Sequence, residues 1–431
     1  MNDWVDSTVG GVTEYQRAGG TPLATVPHFY GGEISFVTIE DITRSGRYLD
    51  RTDRTLSATG LRGSAAWLLK DEHVLYSMYA TVGKPIINRI SCATNQAIIA
   101  LKPAANIDLK FLYYQLLFVR PDVYKYTAQT TQSNLNARVV REIPIRYPRS
   151  RADQAQIVKV LDCLDDAIEQ TEALIEKHQQ IKAGLMHDLF TCGVLPGGLL
   201  RPPPSAAPGS YQSSVLGPLP RHWSASTLRS CLSEGASNGI YKPPHLIGRG
   251  TLLIGQTALT EDRSVDPRLA RRATVSSQDL RRFGLAAGDI LIARVFATVE
   301  GVGRPALLPE LGEPAVFESN MMRLRVNSST IRPRLLFEWL KADVSRRHIA
   351  GRANASNQVS VNQGVLYPLP VPVPPLDEQD RMLVRIDAAD ARRAADLATL
   401  SQLRAQKLGL MQDLLTGKVR VPERTAAAVH A

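Results

Sequence analysis

Two long stretches of this chain place apolar residues at alternating steps of three and four. In the first they fall at Ile157, Leu161, Leu164, Ile168, Ile175, Leu185 and Leu189, with polar Thr171, His178 and Lys182 filling the gaps. The second runs Met382, Ile386, Ala389, Leu400, Leu403, Leu410 and Leu414, interrupted by Arg393 and Asp396. Such spacing lays one narrow apolar stripe along a helix, the seam of a two-helix packing. A helix of about 38 residues would be roughly 57 Å long at the α-helical rise. Each stretch follows a proline-bearing extended segment, Ile143–Pro148 and Leu369–Pro375, which disfavours helix ahead of it. Asp153-Gln154 and Asp377-Glu378-Gln379 then put acid on the first turn, where the helix dipole favours it.

Elsewhere the pattern changes to β-branched and aromatic runs broken by glycine. Phe29–Ile39 reads as a turn feeding a strand, Val74–Lys84 as a strand and turn, and Ile98–Leu101 as a short strand. Leu109–Val119 reads as a helix closed by Pro121. These signals return in the second half. Trp223–Leu228 echoes Trp4–Val9, Gly288–Val299 echoes Glu72–Val82, and Leu335–Leu340 echoes Phe111–Leu117. Gln132 with Asn136 corresponds to Gln358 with Asn362. The two helical stretches align without a gap at an offset of 225 residues, and eight of the thirteen positions from Lys182 to Val194 match Lys407 to Val419. That is far beyond a solenoid period of roughly 20–50 residues, so the chain is a duplicated half-molecule.

The expected organisation is α+β: a globular module over 1–142, a helical spacer over 143–194, a Pro/Gly-rich linker over 195–214, a second module over 215–366, a second spacer over 367–420 and a tail over 421–431. With Pro202-Pro203-Pro204 and Pro208-Gly209-Ser210, residues 195–220 read as holding no compact element. Charge sharpens this picture. Of the net +10, residues 221–352 carry +8 and residues 1–142 carry +2, while the spacers are near neutral. A basic excess on globular modules is the electrostatic footprint of a nucleic-acid binder. No run of 18 apolar residues and no signal peptide is seen, which predicts a cytoplasmic protein. The four cysteines show no Cys-x-x-Cys spacing and the eight histidines no metal spacing.

A search for catalytic patterns finds none. Lys242-Pro243-Pro244-His245 lacks both ends of the Asn/Asp-Pro-Pro-aromatic loop that holds a flipped base. Thr416-Gly417-Lys418-Val419 lacks the hydroxyl of a phosphate loop. Asp108-Leu109-Lys110 has no Pro-Asp upstream to complete a nuclease metal site. The candidates that remain are DNA contacts: Arg44, Arg47, Arg51, Arg54 and Lys84 in the first module, and Arg268, Arg271, Arg272, Arg281, Arg282, Arg294 and Arg304 in the second. Arginine either binds guanine bidentately or neutralises phosphate. Gln132, Asn134, Asn136, Gln358 and Asn362 can read adenine or cap turns.

The segment Val371–Gly417, with Pro-Pro-Leu-Asp-Glu-Gln, a long helix and then Gly-Leu-Met-Gln-Asp-Leu-Leu-Thr-Gly, resembles the specificity subunit of type I restriction–modification systems. The first copy keeps Pro148 and Gln154 at its front, and Cys192-Gly193 stands where the second has Gly417-Lys418. Gly19-Gly20-Thr21-Pro22 and Tyr30-Gly31-Gly32 are also similar to target-recognition domains of that family. The resemblance implies a pseudo-two-fold molecule whose spacer helices pack as an antiparallel coiled coil. It also implies two modules that read the halves of a bipartite double-stranded DNA target. The expected partners are two modification (methyltransferase) subunits and the restriction (translocase/nuclease) subunits, and no membrane. S-adenosylmethionine, ATP and Mg would belong to those partners, with no cofactor, metal or catalytic residue in this chain. Docking and the spacer seam would use Ile157, Leu161, Leu164, Ile168, Leu185, Met186, Leu189, Met382, Ile386, Leu400, Leu403, Leu410, Met411 and Leu414. Two other readings are a scaffold that binds only proteins and a single-chain restriction–methylation enzyme. The missing motifs disfavour the second of these.

Overall fold

A computed structural model describes residues 3–126, 134–260, 264–353 and 359–421. It divides into two compact units: residues 1–174 with 396–431, and residues 175–395. The two long helices, Arg151–Thr191 and Leu376–Leu415, are 41 and 40 residues long. Each contributes one half to each unit.

The first unit holds a five-stranded sheet in the order Thr13–Ala18, Ile98–Pro103, Val74–Ser77, Pro85–Asn88, Tyr48–Leu49. Beside it is a three-stranded sheet in which Tyr30–Val37 pairs antiparallel with Arg54–Leu56 and parallel with Cys92–Thr94. The helix Leu109–Val119 buries Phe111, Leu112 and Tyr114 in a core with Val74, Ile99, Ile157, Leu161, Met411 and Leu414. The second unit repeats the plan. Its four-stranded sheet runs Ser237–Asn238, Met321–Leu324, Ile290–Ala293, Pro305–Leu307, and its three-stranded sheet centres on Ile247–Ile254 between Arg271–Ala273 and Ala315–Phe317. Here Pro333–Lys341 is the module helix, and Leu335, Leu336 and Phe337 share a core with Leu189, Phe190, Met382 and Ile386.

The proline lead-ins are strands. Pro144–Pro148 pairs with Trp4–Thr8, and Pro370–Val373 with Ser224–Thr227, both antiparallel. Their prolines fall only at the even-numbered positions, Pro144, Pro148, Pro370 and Pro372. Flanking hydrogen bonds, Val9 N to Ile143 O at 2.9 Å and Leu228 N to Leu369 O at 2.8 Å, put the ladder bonds on the odd positions. A residue with no N–H therefore sits where no ladder donor is needed.

Within each unit the helix halves run antiparallel. In the first, Asp165 and Glu172 of one helix pair with Lys407 and Arg404 of the other. In the second, Lys182 pairs with Asp390. These two lysine–aspartate pairs occupy equivalent positions of the repeat, so the polar gap at Lys182 in the apolar stripe holds an ion pair that helps define helix register.

Residues 195–220 differ from the expectation of a linker with no compact element. Tyr211–Ser214 and Gly217–Pro220 form a hairpin, straddling the boundary expected at 214. The Tyr211 hydroxyl donates to Pro202 O at 2.6 Å, and Val194 bridges Leu200. Arg201 donates to Cys192 O and lies 3.4 Å from Glu378. Side chains supply the bonds that a proline-rich backbone lacks, and composition alone does not reveal them.

Candidate nucleic-acid interface

Both units build the same small element beside their main sheet. A short 3-10 turn, Pro27–Phe29 or Pro244–Leu246, leads into a strand that is bulged near its start. Tyr30 and Ile34 both face Leu56, which extrudes Gly31-Gly32-Glu33. In the same way Ile247 and Thr251 both face Ala273, extruding Gly248-Arg249-Gly250. The paired strand leads to a short helix, Ala58–Arg62 or Ser277–Phe283, whose first turn is capped by Ser57 or Ser276. A surface cavity of about 450 Å³ beside the first bulge is lined by Ala24, Tyr30, Gly31, Asp53, Arg54 and Thr55.

Six exposed arginines that make no hydrogen bond or ion pair among the described residues lie here, while others, such as Arg17, Arg141 and Arg392, lie elsewhere. Arg51 precedes the paired strand, Arg54 begins it, and Arg62 ends the helix of the first unit. Arg249 lies in the second bulge, and Arg281 and Arg282 lie on the second helix, with Arg282 over the Phe283 ring. Unpaired guanidiniums on a ribbon-and-helix edge can take phosphate oxygens or base edges without first breaking an internal salt bridge.

Other candidates are already engaged. Arg44 donates to Asp53 at 2.5 Å and Asp41 at 2.9 Å. Arg47 corrects the expectation of a loop arginine facing DNA. It is 7% exposed and donates to Asp162 at 2.8 Å and Asp166 at 2.5 Å on the first long helix. Lys110 and the Tyr114 hydroxyl join the same Asp162, at 2.6 and 2.7 Å. Burial pushes the Asp162 carboxyl up, but the bonds from Lys110 and Tyr114 prevail and hold it below its ordinary value. This network fastens the module to its helix.

Lys84 donates to Thr43 O and Ser45 O at 3.0 and 2.7 Å, and burial lowers its pKa. Arg268 pairs with Asp266, Arg271 with Glu318 and Arg272 with Glu313. The Arg272–Glu313 pair, exposed on both sides, is worth little and opens readily to a phosphate, whereas Asp266 and Glu318 are largely covered. Arg294 and Arg304 donate to Ser319 O at 3.1 Å and Glu300 O at 2.9 Å.

Asn136 and Asn362 cap helices, accepting from Val139 N at 3.0 Å and Val365 N at 3.1 Å. Of the two readings open for them, adenine contact or cap, the structure shows the cap. Asn134 is half-buried two residues ahead of the cap, and Gln132 and Gln358 lie outside the described residues. Asp108 likewise caps Leu109–Val119, accepting from Lys110 N and Phe111 N. Among the described residues no group of three or more His, Cys, Asp or Glu is placed to hold a metal. Nor is any helix there long and apolar enough to cross a membrane.

On the long helices, Ile157, Leu161, Ile168, Leu189, Met382, Ile386, Leu400, Met411 and Leu414 are buried, and Leu164, Leu185, Met186, Leu403 and Leu410 are half-buried. The buried ones pack within their own units and are not presented outward. Sequence reasoning missed the glutamines that lock each unit. Gln154 Oε1 accepts from Asp108 N at 2.7 Å, while Nε2 donates to Asn106 O and Pro148 O, each at 3.0 Å. Gln379 does the same with Arg332 N at 2.7 Å, Thr330 O at 3.0 Å and Pro374 O at 2.8 Å. It also missed Glu33, Arg62 and Arg249; for Arg249 the signal was two glycines inside a strand pattern, the mark of a bulge.

A family model for the type I restriction modification DNA specificity domain matches residues 1–179. The type I restriction enzyme MjaVIII specificity subunit of Methanocaldococcus jannaschii is 24% identical over 329 residues, covering 73% of this chain and 71% of that one. Residues 1–179 thus match the type I specificity domain, and the chain along about three quarters of its length is similar to type I specificity subunits. The S subunit of a type I restriction–modification system from M. genitalium shares the fold, with a TM-score of 0.53 at 14% identity over 98% of this chain and 97% of that one. A chain from a structure of type I R-M complex assembly and conformational transition has a TM-score of 0.59 at 15% identity, covering 97% and 99%.

Proposed function

We propose that this chain is a specificity subunit that reads a bipartite double-stranded DNA target, one module to each half-site. The observation that carries the reading is the twofold occurrence of one bulged ribbon-and-helix element, each copy holding three unpaired, exposed arginines. A two-stranded ribbon or a helix fits the major groove, and half-sites read from one side of the duplex lie about one turn, roughly 34–36 Å, apart. The long helices would fix the gap between the half-sites. They would also dock two modification subunits, and through them the restriction subunits. Ile181, Val384, Leu397 and Leu408, at 53%, 69%, 41% and 65% exposure, are apolar helix positions suited to that contact. The chain itself would be non-catalytic and cytoplasmic, with S-adenosylmethionine, ATP and Mg held by its partners.

The test is methylation mapping. The chain is co-expressed with a modification subunit from the same genome, and the DNA is sequenced for new methyladenine. A single bipartite motif with a constant gap is expected, and replacing one module should change one half only. A folded complex with no new methylation and no salt-sensitive DNA affinity would instead favour a scaffold that binds only proteins.

A further inference from the structure

The two bulges are alike in construction and opposite in charge. In the first, Gly31 has a φ of 77° and its missing side chain would meet nothing within 4 Å, so the bulge opens onto solvent. Gly32 is different: a Cβ there would lie 2.5 Å from Leu56 O on the paired strand. The inner position must be glycine, and the one residue of the bulge free to carry a side chain outward is Glu33, which is exposed. In the second bulge the roles shift by one. Gly248, at a φ of 119°, opens onto solvent, and Gly250 presses on the partner strand with a would-be Cβ 2.7 Å from Ala273 O. Arg249, between them, is the exposed side chain. Neither Glu33 nor Arg249 has a hydrogen bond or ion pair among the described residues, although Arg54 begins the strand paired with the first and Arg272 donates to Gly250 O at 2.8 Å in the second.

We propose that these two side chains are base readers: Arg249 donates to a guanine edge in the half-site of the second module, and Glu33 accepts from a cytosine amine in the half-site of the first. The assignment rests on the DNA reading above. An exposed, unpaired carboxylate repels phosphate, so Glu33 is poorly explained as part of a backbone clamp. Its chemistry fits the exocyclic N4 amine of cytosine, the donor that base presents in the major groove. Arg249 carries the fork that matches guanine O6 and N7. Glycines on both sides let the backbone approach the groove floor, and the neighbouring Arg54, Arg62, Arg281 and Arg282 are placed to hold the flanking phosphates.

The experiment uses the full chain in its complex with the modification subunit, comparing the wild type with Arg249→Ala and Glu33→Ala. Both residues are exposed, and each variant is checked for intact complex by size-exclusion chromatography. For Arg249→Ala, one guanine position in the half-motif assigned to the second module should relax, its preference falling about 5- to 150-fold. The other half, the gap and the salt dependence of binding should not change. Glu33→Ala should relax one cytosine position in the first half. A working complex whose variants keep the parent motif would overturn the assignment while leaving the DNA reading intact. So would an Arg249→Ala complex that binds all sequences more weakly, with a salt slope reduced by about one, since that marks a phosphate contact. A wild-type complex that neither binds nor methylates DNA would remove both.

Discussion

The two units solve one problem with different chemistry: how to fasten the exit of one long helix beside the entry of the other. In the second unit the buried Glu378 carboxylate accepts from Trp223 Nε1 at 3.0 Å and Val194 N at 2.8 Å, and lies 2.7 Å from His222 Nε2. Its counterpart in the first unit, Asp153, is exposed. There Gln115 donates to Leu415 O at 3.0 Å and Arg146 to Thr416 O at 3.1 Å, while a tryptophan ring crowds the glycine past the helix in both units, Trp4 on Gly417 and Trp223 on Gly193. Other features match. Gly193 and Gly417 both take a φ of 72° just past a helix end, and Gln154 and Gln379 make the same three bonds to backbone. A contact to backbone finds the same group whatever the neighbouring side chain, so one residue suffices to keep it. The halves differ in which residue supplies the bond: Glu378 accepts from Trp223 and Val194 in one, and Gln115 and Arg146 donate to helix-end carbonyls in the other.

Glu378→Ala should sharpen this contrast most. It strips a buried carboxylate from its donors and should cost about 4 kcal/mol, whereas Asp153→Ala should cost under about 0.5 kcal/mol. Denaturant unfolding of the full chain measures both, and equal losses would abolish the asymmetry. The glutamines test the shared part. Gln154→Ala and Gln379→Ala each orphan one buried N–H and two carbonyls, so each should cost about 3 kcal/mol, and a clear inequality would break the equivalence of the clamps.

Acid should act on the second junction. Burial raises the pKa of Glu378, but bonds from His222 and Trp223 outweigh it and hold the carboxyl below its ordinary 4.5. The unfolded chain therefore binds this proton first. The contribution is complete above pH 4.5 and is lost as pH falls through the folded-state value. Thermal melts across pH 3–7 should show the wild type losing more stability in acid than Glu378→Gln. The smallest effect is expected at the caps, where Asn136→Ala and Asn362→Ala should each cost about 1 kcal/mol in the same unfolding assay.

Periodicity and repetition determined much of this protein from sequence alone. The 225-residue offset, the apolar stripe of each long helix, the strands at Val74 and Ile98 and the helix at Leu109 are local patterns with a fixed geometric meaning. Which arginines are free was decided by the tertiary structure. Arg47 and Arg51 lie four residues apart in one loop-like run, yet the fold buries the first against Asp162 and leaves the second exposed. The carboxylate that claims an arginine is often far along the chain, 115 residues away for Arg47, so no local window contains it. The order in residues 195–220 has the same origin, because Arg201 reaches Glu378 across 177 positions. The bulges stand between these cases. Glycines inside a strand announce them, but only the register against Leu56 and Ala273 determines which residue presses on the partner strand and which, Glu33 or Arg249, carries its charge outward.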